Sequence, residues 1–448
     1  MLVARKGNER KRPVVDFRLL NTRIIRRNTS TPLLRDIFIM LGRAQCEVLS
    51  CVDLKEAFHS VPLTPEAKEF CGILPYFGSP HYRYEVLPMG LAISPQIWID
   101  YIESILCGMD DKQDFIAIMD DLLIHGLKEN HWNRLETLFK AIIKHGLKLS
   151  PKKCQLFRKH LVYMGNVFHI KGSTISITPL QSRVEAIQKL QPPVNVKECK
   201  SFCGVVNYLS IFCKNLQRLL KPIYDLTKKG RPFLWQEEQQ QAFDIIKERM
   251  LNPPILHLPK PGGRYILYCD SSRTHTGSSL WQIQEGKPRL IGYASKSLPA
   301  PALNYSVTEL EMTGMAVNIH LWRHLLHRVE FDCAVDHRAI PYIMKAKTLP
   351  ATTRIMRLLE ILSGYAFNLY FVKGKDMKIC DFLSRIDVDR GNPGEVIPIS
   401  FNSFSMLNMM RKATLFQANK LLTVTRSKTQ AEGVTLPPVH GACLLYTS

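Results

Sequence analysis

No stretch of the 448 residues strings together the roughly 18 apolar side chains of a bilayer-spanning helix, so a membrane-spanning chain is not expected. The opening Met1-Leu2-Val3-Ala4-Arg5-Lys6 lacks the apolar core of a signal peptide, which leads to the expectation of an intracellular protein that is not secreted. CxxC pairs and His partners at zinc spacing are also missing. The 12 cysteines, among them Cys46, Cys51, Cys107, Cys154 and Cys333, are therefore expected to be reduced and mostly buried, and not a disulfide framework or zinc site. Tandem repeats are absent. Acid is in deficit, and the net charge of +21 suits a polyanion partner, because neutralising phosphates releases condensed counterions. Charge alone does not separate a nucleic-acid enzyme from a passive binder, or from a surface that is basic for solubility.

What is present is globular. A hydrophobic fraction of 46% can build real cores, and the length suits two or three domains. From Lys6 to about Ile170, strand-like runs such as Cys46–Val52, Phe115–Met119 and Leu122–Ile124 alternate with helical patterns. Between about Pro179 and Leu251 the pattern is helical, with Phe202, Val205, Val206, Leu209 and Phe212 on one predicted helix face. Asn252-Pro253-Pro254 and Pro259-Lys260-Pro261-Gly262-Gly263 mark a linker. A second α/β unit follows: a buried strand Tyr265–Cys269, a long helix Leu310–Leu326, a strand Phe331–Val335 and a helix Thr353–Leu362. Beyond about Arg390 the pattern dissolves, and that tail is expected to be a linker or disordered.

The segment Phe115-Ile116-Ala117-Ile118-Met119-Asp120-Asp121-Leu122-Leu123-Ile124 carries chemistry, because two acids interrupt an apolar strand–turn–strand. Adjacent carboxylates repel, and burying either costs several kcal/mol without a counter-charge. A solvent-facing Asp-Asp turn is the ordinary explanation. A divalent cation is the other, and Mg²⁺ prefers hard oxygen ligands. Asp53 follows the apolar run Val48–Val52. If the two strand ends lie side by side, Asp53, Asp120 and Asp121 can hold two metal ions for phosphoryl transfer.

These segments resemble the reverse transcriptases of Ty3/gypsy-type long-terminal-repeat retrotransposons and of retroviruses. Arg12-Pro13-Val14-Val15-Asp16-Phe17-Arg18-Leu19-Leu20-Asn21 is similar to the fingers motif, and Asp53-Leu54-Lys55-Glu56-Ala57-Phe58 to the first palm motif. Leu87-Pro88-Met89-Gly90-Leu91-Ala92-Ile93-Ser94-Pro95 and Met119-Asp120-Asp121 resemble the next palm motif and the catalytic hairpin. Leu147-Lys148-Leu149-Ser150-Pro151-Lys152-Lys153-Cys154 and Tyr163-Met164-Gly165 continue the series in order. The resemblance implies that Asp53, Asp120 and Asp121 are the catalytic metal ligands. It implies that Arg12 and Lys6 hold the triphosphate, that Phe58 excludes a 2′-hydroxyl, and that Gly90 lets the backbone approach template and primer. Tyr163, Met164 and Gly165 would form the primer grip. The family usually has an aromatic residue where this chain has Ile118, a departure that bears on efficiency more than on reaction type. Its fingers also begin upstream of Leu2, so an N-terminal truncation is expected.

Four further acids stand at predicted element ends: Asp270, Glu311, Asp336 and Asp381. Spacing alone does not distinguish them from ordinary caps. Tyr268-Cys269-Asp270-Ser271-Ser272, Asn304–Glu311, Val335-Asp336-His337 and Cys380-Asp381-Phe382-Leu383-Ser384-Arg385 are similar to the four ribonuclease H motifs of gypsy-type elements. That similarity implies two Mg²⁺ ions, with Mn²⁺ as the alternative, in each active site. Glu311 is preferred to Glu309 because its place before the apolar helix body matches the related nucleases better.

The expected fold is an α+β right-hand polymerase (fingers, palm, helical thumb) followed by an α/β ribonuclease H-like domain. The expected division is fingers and palm over 1–170, thumb and connection over 171–255, nuclease over 262–390 and a tail over 391–448. Trp235 and Phe243 are expected to anchor the connection's core. The expected activities are RNA-directed DNA synthesis and cleavage of RNA in RNA–DNA hybrids, with RNA template, DNA primer, hybrid and dNTPs as partners. A dimer or neighbouring Pol polyprotein segments are further partners, and protease and integrase motifs are absent. The expected location is cytoplasmic, in a retroelement particle, and nuclear. A decayed relic that binds nucleic acid without polymerising is the alternative.

Overall fold

The computed structural model describes residues 2–6, 10–25, 34–74, 78, 80–110, 112–345, 353–372 and 399–400, with backbone alone for 2–6, 10–14, 345 and 399–400. Asp381 lies outside the described residues, as does the tail apart from Ile399–Ser400, where a short strand stands against the expectation of a linker or disorder. Two compact units emerge. One takes in Met1–Tyr268 and Thr274–Pro299, the other Cys269–Arg273 and the chain from Ala300 on. The division passes through the strand Tyr265–Ser271, and the hairpin His275–Gln284/Lys287–Ser297 belongs to the first unit.

The first unit is organised around the strand Val48–Lys55, whose run Val48-Leu49-Ser50-Cys51-Val52 is buried on both faces. It pairs antiparallel with Asp121–Gly126, Lys148–Leu149 and Gln155–Arg158, and Phe115–Ile118 flanks Asp121–Gly126. Side chains alternate across a sheet with period two. Val52, Leu54, Leu122 and Ile124 therefore pack with Trp98, Ile102, Leu135 and Leu138 from the helices Ser94–Cys107 and Lys128–Lys144. Leu49, Cys51 and Leu123 pack on the opposite face, with Tyr163 and Phe168. Asp53 was expected to end this strand, but the ladder runs on through it to Lys55 because Lys148–Leu149 pairs with the strand's last two residues.

A second antiparallel sheet in this unit runs His160–Tyr163, Asn166–Lys171, Thr174–Pro179 and Leu256–His257. Helices Gln181–Gln188, Val196–Tyr208, Leu216–Asp225 and Glu237–Leu251 follow, as the periodicity from Pro179 to Leu251 predicts. The predicted face is corrected in part: Val205 is exposed, and the helix stops at Tyr208, so Leu209 and Phe212 are buried from the turn beyond it. Phe243 is buried, with Trp235 edge-on at 6.1 Å between ring centres.

In the second unit Phe331–Val335 pairs parallel with Phe367–Phe371, which pairs antiparallel with Ile399–Ser400. The predicted helix Leu310–Leu326 is two helices, Val307–Leu321 and Arg323–Leu326, with the break at Trp322. Thr353–Leu362 is helical as expected, burying Ile355, Leu358, Leu359 and Leu362. The ten described cysteines are free and eight of them are buried. Among the described residues no helix is long and apolar enough to cross a membrane.

Candidate active sites

The register of the central sheet puts Asp53 directly opposite Asp121. By alternation both side chains share the face that carries Leu49, Cys51 and Leu123. Asp120 occupies the two-residue turn between Phe115–Ile118 and Asp121–Gly126. Three features hold that turn. Met119 has a left-handed backbone (φ 52°), unusual for a residue with a Cβ. Trp98 Nε1–H donates to the Met119 carbonyl at 2.7 Å, and Leu54 N–H donates to the Asp120 carbonyl at 2.8 Å.

Like charges facing each other across a strand pair repel. Burial, then the charges of Asp53 and Asp120, raise the carboxyl pKa of Asp121, and Lys153 partly offsets this. Lys153 Nζ lies 2.5 Å from Asp53 Oδ1, and this contact raises the lysine's own pKa. The backbone fixes Lys153 there, because Ser150 N–H donates to the Asp53 carbonyl at 2.9 Å. A cation thus already sits among three carboxylates whose oxygens repel one another. The same all-oxygen, electron-rich set fits a hard divalent ion. Among the described residues, no group of three or more His, Cys, Asp and Glu side chains is arranged to hold a metal ion, so such an ion would need Lys153 to move off Asp53.

The other predicted polymerase residues fall into four groups. Lys6 and Arg12 stand on paired strands Leu2–Lys6 and Arg10–Val14. Phe58 lies on the short helix Ala57–Ser60, reached through a left-handed Glu56 (φ 55°), and packs half-buried against the palm core. Gly90 has φ 99°, and a Cβ there would stand 3.4 Å from the Val15 carbonyl oxygen. Asn21 ties the helix Arg18–Asn21 to the Gly90 segment: its Nδ2 donates to the Gly90 carbonyl at 2.9 Å and its Oδ1 accepts from Ala92 N–H at 2.7 Å.

Tyr163 differs from a surface grip residue. Its ring is buried beside Phe168, and its hydroxyl is buried without a hydrogen-bond partner. Burial, with Cys51 and Asp121 adding, pushes the pKa of that hydroxyl up. Alternation along His160–Tyr163 aims position 163 at the core, leaving the Met164–Gly165 turn as the part that can meet a ligand. Both turn residues have positive φ, 46° and 67°. Tyr208 donates its hydroxyl to the Met164 carbonyl, and Asn166 Nδ2 donates to it at 3.1 Å. Lys153, Trp98, Asn21 and Tyr208 were not assigned roles from the sequence. Lys153 and Asn21 stand inside the motifs named above and Tyr208 ends the stretch Val194–Tyr208 that resembles the family's thumb, but Trp98 carries no local signal.

The second unit gathers Asp270, Glu311 and Asp336. Asp270 follows the buried run Tyr265–Cys269, Asp336 follows the buried strand Phe331–Val335, and Glu311 lies in the second turn of the helix Val307–Leu321. Burial first, then the charges of Asp270 and Asp336, push the Glu311 carboxyl up to about 7. Ser271 opposes this shift by hydrogen bonding. Glu309 is occupied elsewhere. It closes a capping box with Ser306 and pairs with Arg354 at 2.9 Å, and its hydrogen bond from Ser306 N–H lowers its pKa. A carboxylate driven toward neutrality by burial and by two others is a site that a bound cation would relieve.

Residues 4–168 match the family described as reverse transcriptase (RNA-dependent DNA polymerase), and residues 235–333 match an RNase H-like domain found in reverse transcriptase. The chain is 30% identical over 378 residues to the retrovirus-related Pol polyprotein from transposon 412 of Drosophila melanogaster, covering 84% of this chain and 30% of the relative. For the Pol polyprotein from transposon 297 of the same fly the identity is 26%, over 95% of this chain and 39% of the relative. The Tf2-3 transposon polyprotein of Schizosaccharomyces pombe is 28% identical, over 85% and 28%. The chain thus spans about a third of the length of these relatives. Foamy viral protease-reverse transcriptase shares the fold. Its complex with dsDNA superposes with a TM-score of 0.69 at 19% identity over 83% of this chain and 77% of that one. Its complex with an RNA/DNA hybrid gives 0.65 at 20% identity, over 83% and 50%. The architecture is a reverse-transcriptase polymerase fold followed by an RNase H-like domain. Domains of both kinds are generally dependent on divalent metal.

Proposed function

We propose that this chain, whose reverse-transcriptase and RNase H-like regions match those of Ty3/gypsy-type Pol polyproteins, copies RNA into DNA and cleaves the RNA strand of RNA–DNA hybrids. The observation that carries the polymerase reading is the direct cross-strand pairing of Asp53 with Asp121, beside the strained turn that carries Asp120. In the polymerase Asp53, Asp120 and Asp121 would hold Mg²⁺, and in the nuclease Asp270, Glu311, Asp336 and Asp381 would. Two Mg²⁺ ions, when bound, offset charge on the attacking and leaving oxygens of phosphoryl transfer.

The chain's own groups do the rest. Lys6 and Arg12 bind the triphosphate, where fixed cations stabilise developing negative charge. Phe58 fills the space that a 2′-hydroxyl would need, and Gly90 admits a close backbone approach. The Met164–Gly165 turn grips the primer, with Tyr163 anchoring it from inside the core. Lys153 offsets the charge of Asp53 in the metal-free chain. The partners are an RNA template, a DNA primer, their hybrid and dNTPs, with a second copy or Pol neighbours beyond. The working division is fingers and palm 1–170, thumb and connection 171–255, nuclease 262–390, with action inside the cell.

The test is primer extension on a defined RNA template with Mg²⁺ and dNTPs, run beside cleavage of a labelled hybrid. Extension by the wild type and none by the Asp120→Asn/Asp121→Asn double variant supports the reading. Binding of hybrid with neither extension nor cleavage would establish a nucleic-acid-binding relic.

A further inference from the structure

The outer face of the second sheet carries a feature that polymerisation does not use. Along His160–Tyr163, Asn166–Lys171 and Thr174–Pro179, the side chains of Leu161, Tyr163, Phe168, Ile170, Ile175 and Ile177 enter the core. The alternate set faces outward, and its register pairs His160 with His169 and His169 with Ser176. His160 is exposed and His169 half-buried. Their Nδ1 atoms lie 2.9 Å apart, with the rings nearly edge-on at 68°. The Nε2 of His169 is 2.9 Å from Thr178 Oγ1, one residue pair further along the same face.

Two facing imidazole nitrogens at this distance can share at most one proton. In the tautomer in which Nε2–H of His169 donates to the Thr178 hydroxyl oxygen, the His169 Nδ1 lone pair is directed at His160. A ring held through one nitrogen so that the other stays bare is how proteins orient a metal-binding histidine. With metal–nitrogen bonds of about 2.1 Å, nitrogens 2.9 Å apart subtend roughly 90° at a shared ion. That angle suits the octahedral or tetragonal preferences of Ni²⁺ and Cu²⁺ more than tetrahedral Zn²⁺.

We infer that His160 and His169 form a two-imidazole chelate on the hairpin His160–Lys171 for a late first-row divalent cation, oriented by Thr178. When the ion binds, the proton shared by the two Nδ1 atoms moves to the Nε2 of His160, so both rings stay neutral and no further proton is exchanged. No third His, Cys, Asp or Glu among the described residues completes the site, so water fills the remaining positions and the ion is exchangeable. The site is separate in kind from the carboxylate clusters, since imidazole favours softer ions than the Mg²⁺ that carboxylates select. Binding links the open end of a hairpin whose other end is the Met164–Gly165 turn, and so stiffens the whole hairpin.

The experiment is titration of the full chain with NiCl₂ in excess Mg²⁺, read by calorimetry and by amide hydrogen exchange across residues 161–171. His160→Gln is the main variant, because an exposed position tolerates the change. The wild type is expected to take up one Ni²⁺ that the variant does not, and only the wild type gains exchange protection in the hairpin. Thr178→Val is expected to keep the stoichiometry but weaken binding by about 10-fold or more, the usual effect of removing an orienting partner. Absence of uptake by the wild type, or uptake and hairpin protection unchanged by His160→Gln, overturns the site. Binding by Thr178→Val as tight as the wild type's overturns the orienting role.

Discussion

The Arg183 guanidinium lies 4.1 Å from the centre of the Tyr208 ring, across the place where Gly165 has no side chain. A Cβ on Gly165 would stand 2.0 Å from the guanidinium carbon, and the backbone there has φ 67°. Arg183 can swing away, so the cost of Gly165→Ala is mainly backbone strain plus the lost stacking, together about 1–3 kcal/mol. Because Tyr208 also donates to the Met164 carbonyl, loosening the stack frees the turn. The variant is expected to melt a few degrees lower and to release primer sooner. Thermal unfolding and extension with a trap that prevents rebinding measure the two effects.

Lys153 competes with a cation for Asp53. The pair's lysine is 60% exposed, so its loss has a small effect on stability, within about 1 kcal/mol. Its effect on the site's charge is larger, since it is the cation that lowers the Asp121 pKa. Lys153→Met is therefore expected to leave the melting temperature of the metal-free chain nearly unchanged and to reduce the Mg²⁺ concentration at which the chain is half-stabilised. A Mg²⁺ titration of thermal stability reads this directly, and a midpoint that rises would show the lysine helping the ion to bind.

Glu309 and Glu311 separate folding from chemistry two residues apart. Glu309→Gln removes the charge that holds Arg354 and weakens the capping box, so about 1 kcal/mol of stability is expected to go while hybrid cleavage persists. Glu311→Gln is expected to abolish cleavage yet stabilise the metal-free second unit, because two acids stop repelling a third. The sign of the pH dependence follows from linkage. The carboxyl of Glu311 sits at about 7 when folded against 4.5 in the unfolded chain, so the folded state binds the extra proton between these values. Its favourable contribution is complete below pH 4.5 and is lost as pH rises through 7, at no more than about 1 kcal/mol per unit for a half-buried group. The difference in metal-free stability between wild type and Glu311→Gln, followed from pH 5 to 8, is expected to show this slope, since every other titrating group is common to both proteins.

Much of this arrangement was legible before any coordinate. Strand–Asp and turn–Asp-Asp patterns are local, and a buried apolar run next to an acid is visible in one dimension, so Asp53, Asp120 and Asp121 could be grouped. Their register could not, because pairing Asp53 with Asp121 depends on turn geometry that Met119, an ordinary residue in a left-handed turn, does not advertise. Alternation does place Tyr163 inward, but only once the strand's start at His160 is known. Choosing Glu311 over Glu309 needed a family pattern, since both fit the start of a helix. Contacts across long separations, Trp98 to Met119 and Tyr208 to Met164, leave no mark on neighbouring residues and appear only in three dimensions.

Two buried histidines beneath the palm give the first unit an opposite response to acid. His131 Nε2 meets Ser50 Oγ at 2.7 Å, while its Nδ1 is buried without a partner. His125 Nε2 meets the Gln113 carbonyl at 3.1 Å, and its other face lies toward the buried Asp114–Arg134 ion pair. Burial holds both imidazoles down at about 4, with the Arg134 charge adding to the effect. The unfolded chain takes up these protons near 6.5 and the folded chain does not, so stability is full above pH 6.5 and is lost as pH falls toward 4. Each histidine contributes a slope of up to about 1.4 kcal/mol per pH unit, reduced by relaxation around the ring. Denaturant unfolding between pH 7 and 5, monitored by Trp fluorescence, is expected to show the loss. His131→Gln keeps a side-chain amide to meet Ser50 and removes the titrating ring, so it is expected to be less stable than wild type at pH 7 but to lose less on acidification. Equal acid slopes in the two proteins would show that His131 does not titrate in this window.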